Sequence, residues 1–152
     1  MSLELKAGPT SLERLETAIA RMVQKHGFFP VDPSNTEFAE GLTALLLTDD
    51  PQRNLEVLDA CVILPEALKP LDATITCRVA GPEVSPALMQ RYGVARAPAV
   101  VFLRDGQYLG VLQGIRDWRE YQEELARLLA GPAQPKPIGI PVRAAASQGA
   151  CA

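Results

Sequence analysis

Apolar side chains recur at helical spacing near both ends of the first 130 residues. The first such stretch starts with a capping-box sequence, T-S-L-E from Thr10, and stops at His26 and Gly27, a typical helix end. Its apolar residues are Leu12, Leu15, Ile19, Met22 and Val23. The second starts at Asp117, a predicted cap, and stops before Gly131; its apolar residues are Trp118, Tyr121, Leu125, Leu128 and Leu129. Each stretch predicts an amphipathic helix.

The part between these helices alternates strand-like and helical patterns. Residues 42–48 form an unbroken apolar run, typical of a central strand buried on both faces. Residues 73–79 alternate and are rich in β-branched side chains, which predicts a strand with Ile75 and Cys77 facing the core. Two further strand-like runs, 99–104 and 107–113, flank Asp105-Gly106, a strong hairpin signal.

Helices are predicted between these strands. One spans 55–69 with Pro65 inside it, and a short one spans 85–92, capped by Ser85 and ended by Gly93. A brief helix is also predicted at 36–40. The order of elements implies parallel strands joined by helical crossovers, with an antiparallel edge. We therefore expect a three-layer α/β sandwich.

The predicted domain is flanked by two segments of different composition. Residues 1–9 form an N-terminal arm, residues 10–131 the domain, and residues 132–152 a flexible tail. The tail holds four prolines and six alanines but no aromatic and no acidic residue. It therefore lacks the apolar surface that would offset ordering entropy.

Composition and charge narrow the function. The net charge of −3 provides no basic field for nucleic acid, and the apolar runs are too short for membrane insertion. The N-terminal sequence lacks the pattern of an export signal, so we expect a cytoplasmic protein. Cys61, Cys77 and Cys151 have irregular spacing that fits neither a disulfide framework nor a zinc site. We expect no metal and no cofactor.

Acidic residues concentrate in one part of the chain. Residues 37–72 hold eight acids and two bases, a net charge of −6, against +3 for the remainder. The acids are Glu37, Glu40, Asp49, Asp50, Glu56, Asp59, Glu66 and Asp72. Such a field favours cationic peptides, and arginine forks pair well with carboxylates. Leu55, Val57 and Leu58 are candidates for added apolar contacts. The alternative is a solvated face whose acids stabilise a helix N-terminus.

The second half of the chain resembles thioredoxins. The resemblance rests on Arg91-Tyr92-Gly93-Val94, then Ala97-Pro98, the Asp105-Gly106 hairpin and the closing helix. It implies a thioredoxin-like fold, with a mixed central sheet, a C-terminal antiparallel hairpin and a cis bond before Pro98. The backbone at Ala97 would then offer hydrogen bonds to an extended peptide. The motif C-x-x-C is missing, because Val57 and Ala60 stand near its two positions. Dithiol exchange is therefore excluded.

A narrower resemblance is to the HyaE and HupG family, which is encoded with uptake nickel-iron hydrogenases. It rests on Asp50-Pro51, Arg53, Glu56, Asp59 and residues 62–66, and on the segments 101–110 and 116–121. The resemblance implies a non-catalytic chaperone that binds the twin-arginine signal of the hydrogenase small-subunit precursor and works with other hydrogenase maturation proteins. The candidate peptide-binding residues are Asp49, Asp50, Arg53, Glu56, Asp59, Glu66, Ala97 and Pro98.

Two other functions stay open. A single-cysteine redox protein would use Cys61 as a thiol at the beginning of a helix. Asp59 would oppose its ionisation, and the apolar residues 62–64 predict burial. The third possibility is a scaffold or dimerising subunit of a maturation complex.

Overall fold

The computed structural model describes residues 8–69, 75–114 and 118–130. The elements, in chain order, are α1 (Ser11–His26), β1 (Phe29–Pro30), β2 (Leu42–Leu47), α2 (Glu56–Leu68), β3 (Ile75–Ala80), α3 (Ser85–Tyr92), β4 (Ala99–Arg104), β5 (Gln107–Gln113) and α4 (Trp118–Ala130). No helix in these ranges is long and apolar enough to span a membrane. The predictions for Ala73, Asp117 and the 132–152 tail lie outside the described residues, as do the side chains of Trp118 and Tyr121.

The five strands form one mixed sheet in the order β1-β3-β2-β4-β5. Strand β3 pairs in parallel with both β1 and β2, whereas β4 is antiparallel to both β2 and β5. The predicted central strand is confirmed, since β2 lies in the middle. This topology, with the closing hairpin and α4, is thioredoxin-like, as the resemblance implies.

Two apolar cores lie on opposite faces of the sheet because side chains alternate along each strand. Along β2, Ala44 and Leu46 face one core while Leu45 and Leu47 face the other. Buried residues of α1, α2 and α4 fill the first core, and α3 covers the second. The predicted three-layer sandwich is therefore present, with three helices on one face.

Local capping and turn signals locate several elements correctly. Thr10 and Glu13 form the complete capping box of α1. The hairpin turn at Asp105 and Gly106 has φ angles of 53° and 79°, which short polar residues and glycine tolerate. Asp105 also accepts a hydrogen bond from the Gly41 N–H at 2.8 Å, so the turn is attached to the start of β2.

The helix predicted at residues 36–40 is wrong. The connector from β1 to β2 is irregular there, because other bonds hold its backbone. Arg91 of α3 donates to the Thr36 carbonyl at 2.9 Å, and Phe38 packs against the second core.

The predicted cap of α3 is also wrong. Val84 is the residue that precedes the helix, and the Ser85 side chain is fully buried. Its hydroxyl donates to the Ala80 carbonyl and accepts from the Thr48 N–H, both at 3.0 Å. Ser85 therefore joins the ends of β2 and β3 to α3.

Two features of α2 differ from the prediction: the burial of Val57 and the position of Cys61 along the helix. Val57, predicted to contact a peptide, is fully buried, whereas Val62 on the same helix is 64% exposed. Cys61 is the sixth residue of α2, so it does not lie at the helix beginning. Apolar residues occur on nearly all sides of this helix, and the sequence pattern therefore fixes its orientation poorly.

Candidate functional site

The loop between β2 and α2 carries the first group of candidate residues. Asp49 and Asp50 come shortly after β2, which ends at Leu47, and Arg53 lies before α2. The Arg53 guanidinium donates to Asp49 at 2.8 Å, and its Nε lies 3.3 Å from each carboxylate oxygen. This hydrogen bonding holds the pKa of Asp49 below its usual range and raises the pKa of Arg53.

Asp50 connects this loop to α1. Its Oδ1 accepts hydrogen bonds from the Ser11 hydroxyl at 2.5 Å and from the Gln52 N–H at 2.9 Å. The Ser11 bond is the main cause that lowers the pKa of Asp50, so this carboxylate is ionised at neutral pH. The first residue of α1 is thus fixed beside the acidic loop.

Asn54, which the sequence analysis did not single out, joins α2 to the loop before β4. Its Oδ1 accepts from the N–H of Glu56, the first residue of α2, at 3.0 Å, while Leu55 is the residue directly before the helix. Its Nδ2 donates to the Ala97 carbonyl at 2.8 Å. An asparagine before a helix is a recognisable capping signal, but no sequence pattern reveals a partner 43 residues away.

The Ala97-Pro98 peptide bond is cis, as the resemblance implies. The carbonyl groups of Ala97 and Pro98 both accept hydrogen bonds from within the protein. Asn54 donates to the Ala97 carbonyl, and the Gly114 N–H donates to the Pro98 carbonyl, each at 2.8 Å. Ala97 itself is 4% exposed. The Ala97 carbonyl therefore already accepts one internal hydrogen bond, and pairing of the Ala97 backbone with a peptide stays a prediction.

The candidate acids divide between two ends of the molecule. Glu56 lies close to the cis-proline loop, because its carboxylate is near Gly114, which donates to the Pro98 carbonyl: a Cβ placed on Gly114 would be 3.8 Å from Glu56 Oε1. Asp59 lies three residues further along α2. Glu66 lies in the last turn of α2 and pairs with Lys69 at 3.0 Å. Glu37 and Glu40 precede β2, beside the β4–β5 hairpin at the opposite end of the sheet.

We call Asp49, Asp50, Glu56 and Asp59 the acidic rim. Further acids lie at the same end of the sheet, because the parallel strands all end there: Asp32 follows β1, and Glu83 follows β3. Asp32 accepts from the N–H and hydroxyl of Ser34, which lower its pKa. Arg53 and the exposed Arg96 are the bases among the described loop residues at this end. Within the described chain, Glu56 and Asp59 take part in no ion pair.

Thiol chemistry has no support at this site. Val57 and Ala60, near the positions of a C-x-x-C pair, are both fully buried. Cys61 is 4% exposed, and burial raises its pKa to about 12. Burial also raises the pKa of Cys77, to about 11. Both thiols are therefore protonated at neutral pH, and a protonated thiol is a poor nucleophile.

Residues 18–121, which include nearly all of these features, match the family model described as "Hydrogenase-1 expression protein HyaE". The chain belongs to the HyaE family. This match covers both the acidic rim and the cis-proline loop, so the site described above lies within the family's common region.

Similar proteins bear related names. The chain is 38% identical over 149 residues to "Hydrogenase expression/formation protein HoxO" of Cupriavidus necator, which covers 94% of this chain and 92% of that protein. It is 30% identical to HupG of Bradyrhizobium diazoefficiens, over 71% of this chain and 78% of that protein. A solved structure of HupG from Rhodopseudomonas palustris CGA009 is 26% identical and covers 67% of this chain and 95% of that chain, with a TM-score of 0.46.

Proposed function

We propose that this chain is a non-catalytic chaperone of hydrogenase maturation, which binds the twin-arginine signal of the small-subunit precursor at the acidic rim. Membership of the HyaE family and the names of the relatives support the role in hydrogenase maturation. One structural observation supports this choice of binding site: carboxylates, with no thiol among them, lie around the start of α2 beside the cis-proline loop. Cooperation with other maturation proteins and a cytoplasmic location remain predictions.

Glu56 and Asp59 are the best acceptors for the two arginines. They lie one helical turn apart on α2, and neither is held by a described basic side chain. Asp49 is already bound by Arg53, so an incoming guanidinium would have to share or displace that contact. Asp50 is held by Ser11 and Gln52 and serves mainly to fix the loop.

The expected energies are modest, because the rim is exposed. Each exposed ion pair contributes about 0.2 to 1 kcal/mol, and salt weakens it. Two such pairs therefore change the affinity by roughly two- to thirtyfold. Leu55, which is 71% exposed at the start of α2, offers an apolar contact beside the charges.

The test is binding of a synthetic twin-arginine signal peptide, followed by isothermal titration calorimetry or fluorescence anisotropy. The double variant Glu56→Gln, Asp59→Asn should bind more weakly, with the largest difference at low ionic strength. The matched control is Glu37→Gln, Glu40→Gln, which removes the same charge at the opposite end of the sheet. Equal weakening by both variants would show that only the overall charge matters.

A pull-down with the whole precursor separates signal recognition from other contacts. The small-subunit precursor should be retained, and the same subunit without its signal should not. Equal recovery of the two forms would refute the proposal. Replacement of both signal arginines by lysine should weaken binding, because lysine lacks the planar fork that pairs with a carboxylate.

The redox alternative requires a thiolate at Cys61. Burial of this side chain opposes that form, since the pKa rises to about 12. We therefore propose no catalytic role for Cys61. Reduction of insulin or peroxide that disappears in Cys61→Ser would contradict this view.

A further inference from the structure

An open groove lies between α1 and the β1–β3 edge of the sheet, and none of the four acidic-rim residues lines it. Its volume is about 590 Å³, within the range of sites that hold apolar ligands. The lining side chains are mainly apolar and include Leu12, Ile19, Val23, Pro30 and Val79. Leu15, which is 1% exposed, also borders the groove, and Leu12 at 44% exposure lies more openly against it.

The groove and the acidic rim meet at the start of α1. Ser11 binds Asp50 of the rim, and the next residue, Leu12, lines the groove. Gly81, Pro82 and Glu83, which follow β3, line it as well. The ends of β2 and β3 are joined where the Thr48 hydroxyl donates to the Ala80 carbonyl at 2.6 Å. A chain held at the rim could therefore continue into the groove without crossing the sheet.

The charges of the groove match those of the rim. Glu16 and Glu83 are its charged lining residues, and both are exposed. The Glu83 carboxylate folds back over Gly81, where an added Cβ would lie 2.7 Å from Oε1. A peptide segment with apolar side chains and a cationic end fits these features. Its apolar side chains would contact the groove lining, and its cations would lie near the acidic rim and near Glu16 and Glu83.

We infer that this groove binds the apolar stretch that follows the arginines of the signal, so that one ligand occupies the rim and the groove together. This inference rests on the proposed function. Binding at the groove supplies the affinity that exposed ion pairs lack, since burial of one large apolar side chain corresponds to roughly tenfold or more in binding.

Ala20→Trp tests the inference, because Ala20 is an exposed residue of α1 that lines the groove and a bulky side chain there obstructs it. The control is Ala87→Trp, the same change at an exposed alanine of α3 on the opposite face. Two peptides are compared: the whole signal, and a short peptide with the arginines but without the apolar stretch. Ala20→Trp should weaken the whole signal roughly tenfold and leave the short peptide unchanged.

Leu12→Glu is the second variant, since it places a charge in the apolar lining without disturbing the buried core. It should reproduce the effect of Ala20→Trp on the whole signal. Unchanged affinity in both variants would overturn the inference while leaving the rim proposal intact. Loss of affinity in Val62→Asp instead would assign the apolar stretch to the exposed face of α2 and also overturn it.

Two further outcomes are informative. A concentration-dependent dimer that Ala20→Trp abolishes, with peptide affinity unchanged, would assign the groove to a second copy of this chain and overturn the inference. Failure of the unmodified protein to bind either peptide would instead refute the proposed function, and the inference with it. Thermal melting of each variant confirms that it is folded.

Discussion

Replacement of Ser85 by alanine removes only one oxygen atom, yet it should clearly destabilise the protein. The Ser85 hydroxyl is completely buried, where it accepts from the Thr48 N–H and donates to the Ala80 carbonyl. Alanine removes the acceptor and leaves the N–H of Thr48, itself 1% exposed, without that partner. An unsatisfied buried donor costs about 1 to 3 kcal/mol.

Thr48→Val is the matched comparison, because it removes the other hydroxyl of the same cluster. The Ala80 carbonyl loses its 2.6 Å bond from Thr48 but keeps the bond from Ser85. No backbone group then loses its last described partner, so we expect a cost of about 1 kcal/mol. Ser85→Ala should therefore lower the free energy of unfolding more than Thr48→Val does.

Urea unfolding followed by circular dichroism measures both values. For a domain of this size, 1 kcal/mol corresponds to a shift of about 4 °C in Tm. A smaller loss for Ser85→Ala than for Thr48→Val would refute the reasoning, because it would mean that the Thr48 N–H finds another acceptor. The double variant should show non-additive losses, since both hydroxyls share the Ala80 carbonyl.

Three other predictions follow from the described contacts. Asp105→Ala should lower the free energy of unfolding by about 1 kcal/mol in urea unfolding, because Gly41 loses its acceptor; Asp105→Asn should cost less. Cys61 should resist iodoacetamide in the folded protein and react once urea unfolds it, as peptide mass mapping would show; equal reaction in both states would contradict its burial. Stability should fall from about pH 8.5 towards pH 12, by at most about 1.4 kcal/mol per pH unit from Cys61, because the unfolded thiol ionises first. Cys61→Ala should flatten this dependence in urea titrations at increasing pH.

Elements whose signals are local could be predicted from the sequence. The capping box at Thr10, the left-handed Gly93 and the Asp105-Gly106 turn each act through neighbouring residues, so their elements appear where expected. The central strand β2 could be recognised because burial on both faces requires an unbroken apolar run. Topology then followed from the order of elements.

Features that depend on distant contacts could not be predicted. Ser85 resembles a helix cap in the sequence, but its buried hydroxyl instead accepts a hydrogen bond from the Thr48 N–H, just after β2. Asn54 gives no sign that it binds Ala97 across the fold. The acids form one cluster in sequence, but those that the structure describes do not stay together, because β2 separates Glu40 and Asp49 to opposite ends of the sheet. Asp72 lies outside the described residues.

The proposed peptide site has carboxylates at the start of α2, where the thioredoxin motif C-x-x-C would stand. The start of α2 favours negative charge there, whether the group is a thiolate or a carboxylate. Here Glu56 and Asp59 occupy the first turn, while the nearest cysteine lies buried behind them. Asn54 donates to the carbonyl before Pro98, so a peptide that pairs with this carbonyl would use its second lone pair or displace Asn54. In the function that we propose, side chains of the acidic rim and of the apolar groove hold the signal, and this mode of binding leaves the bond between Asn54 and Ala97 intact.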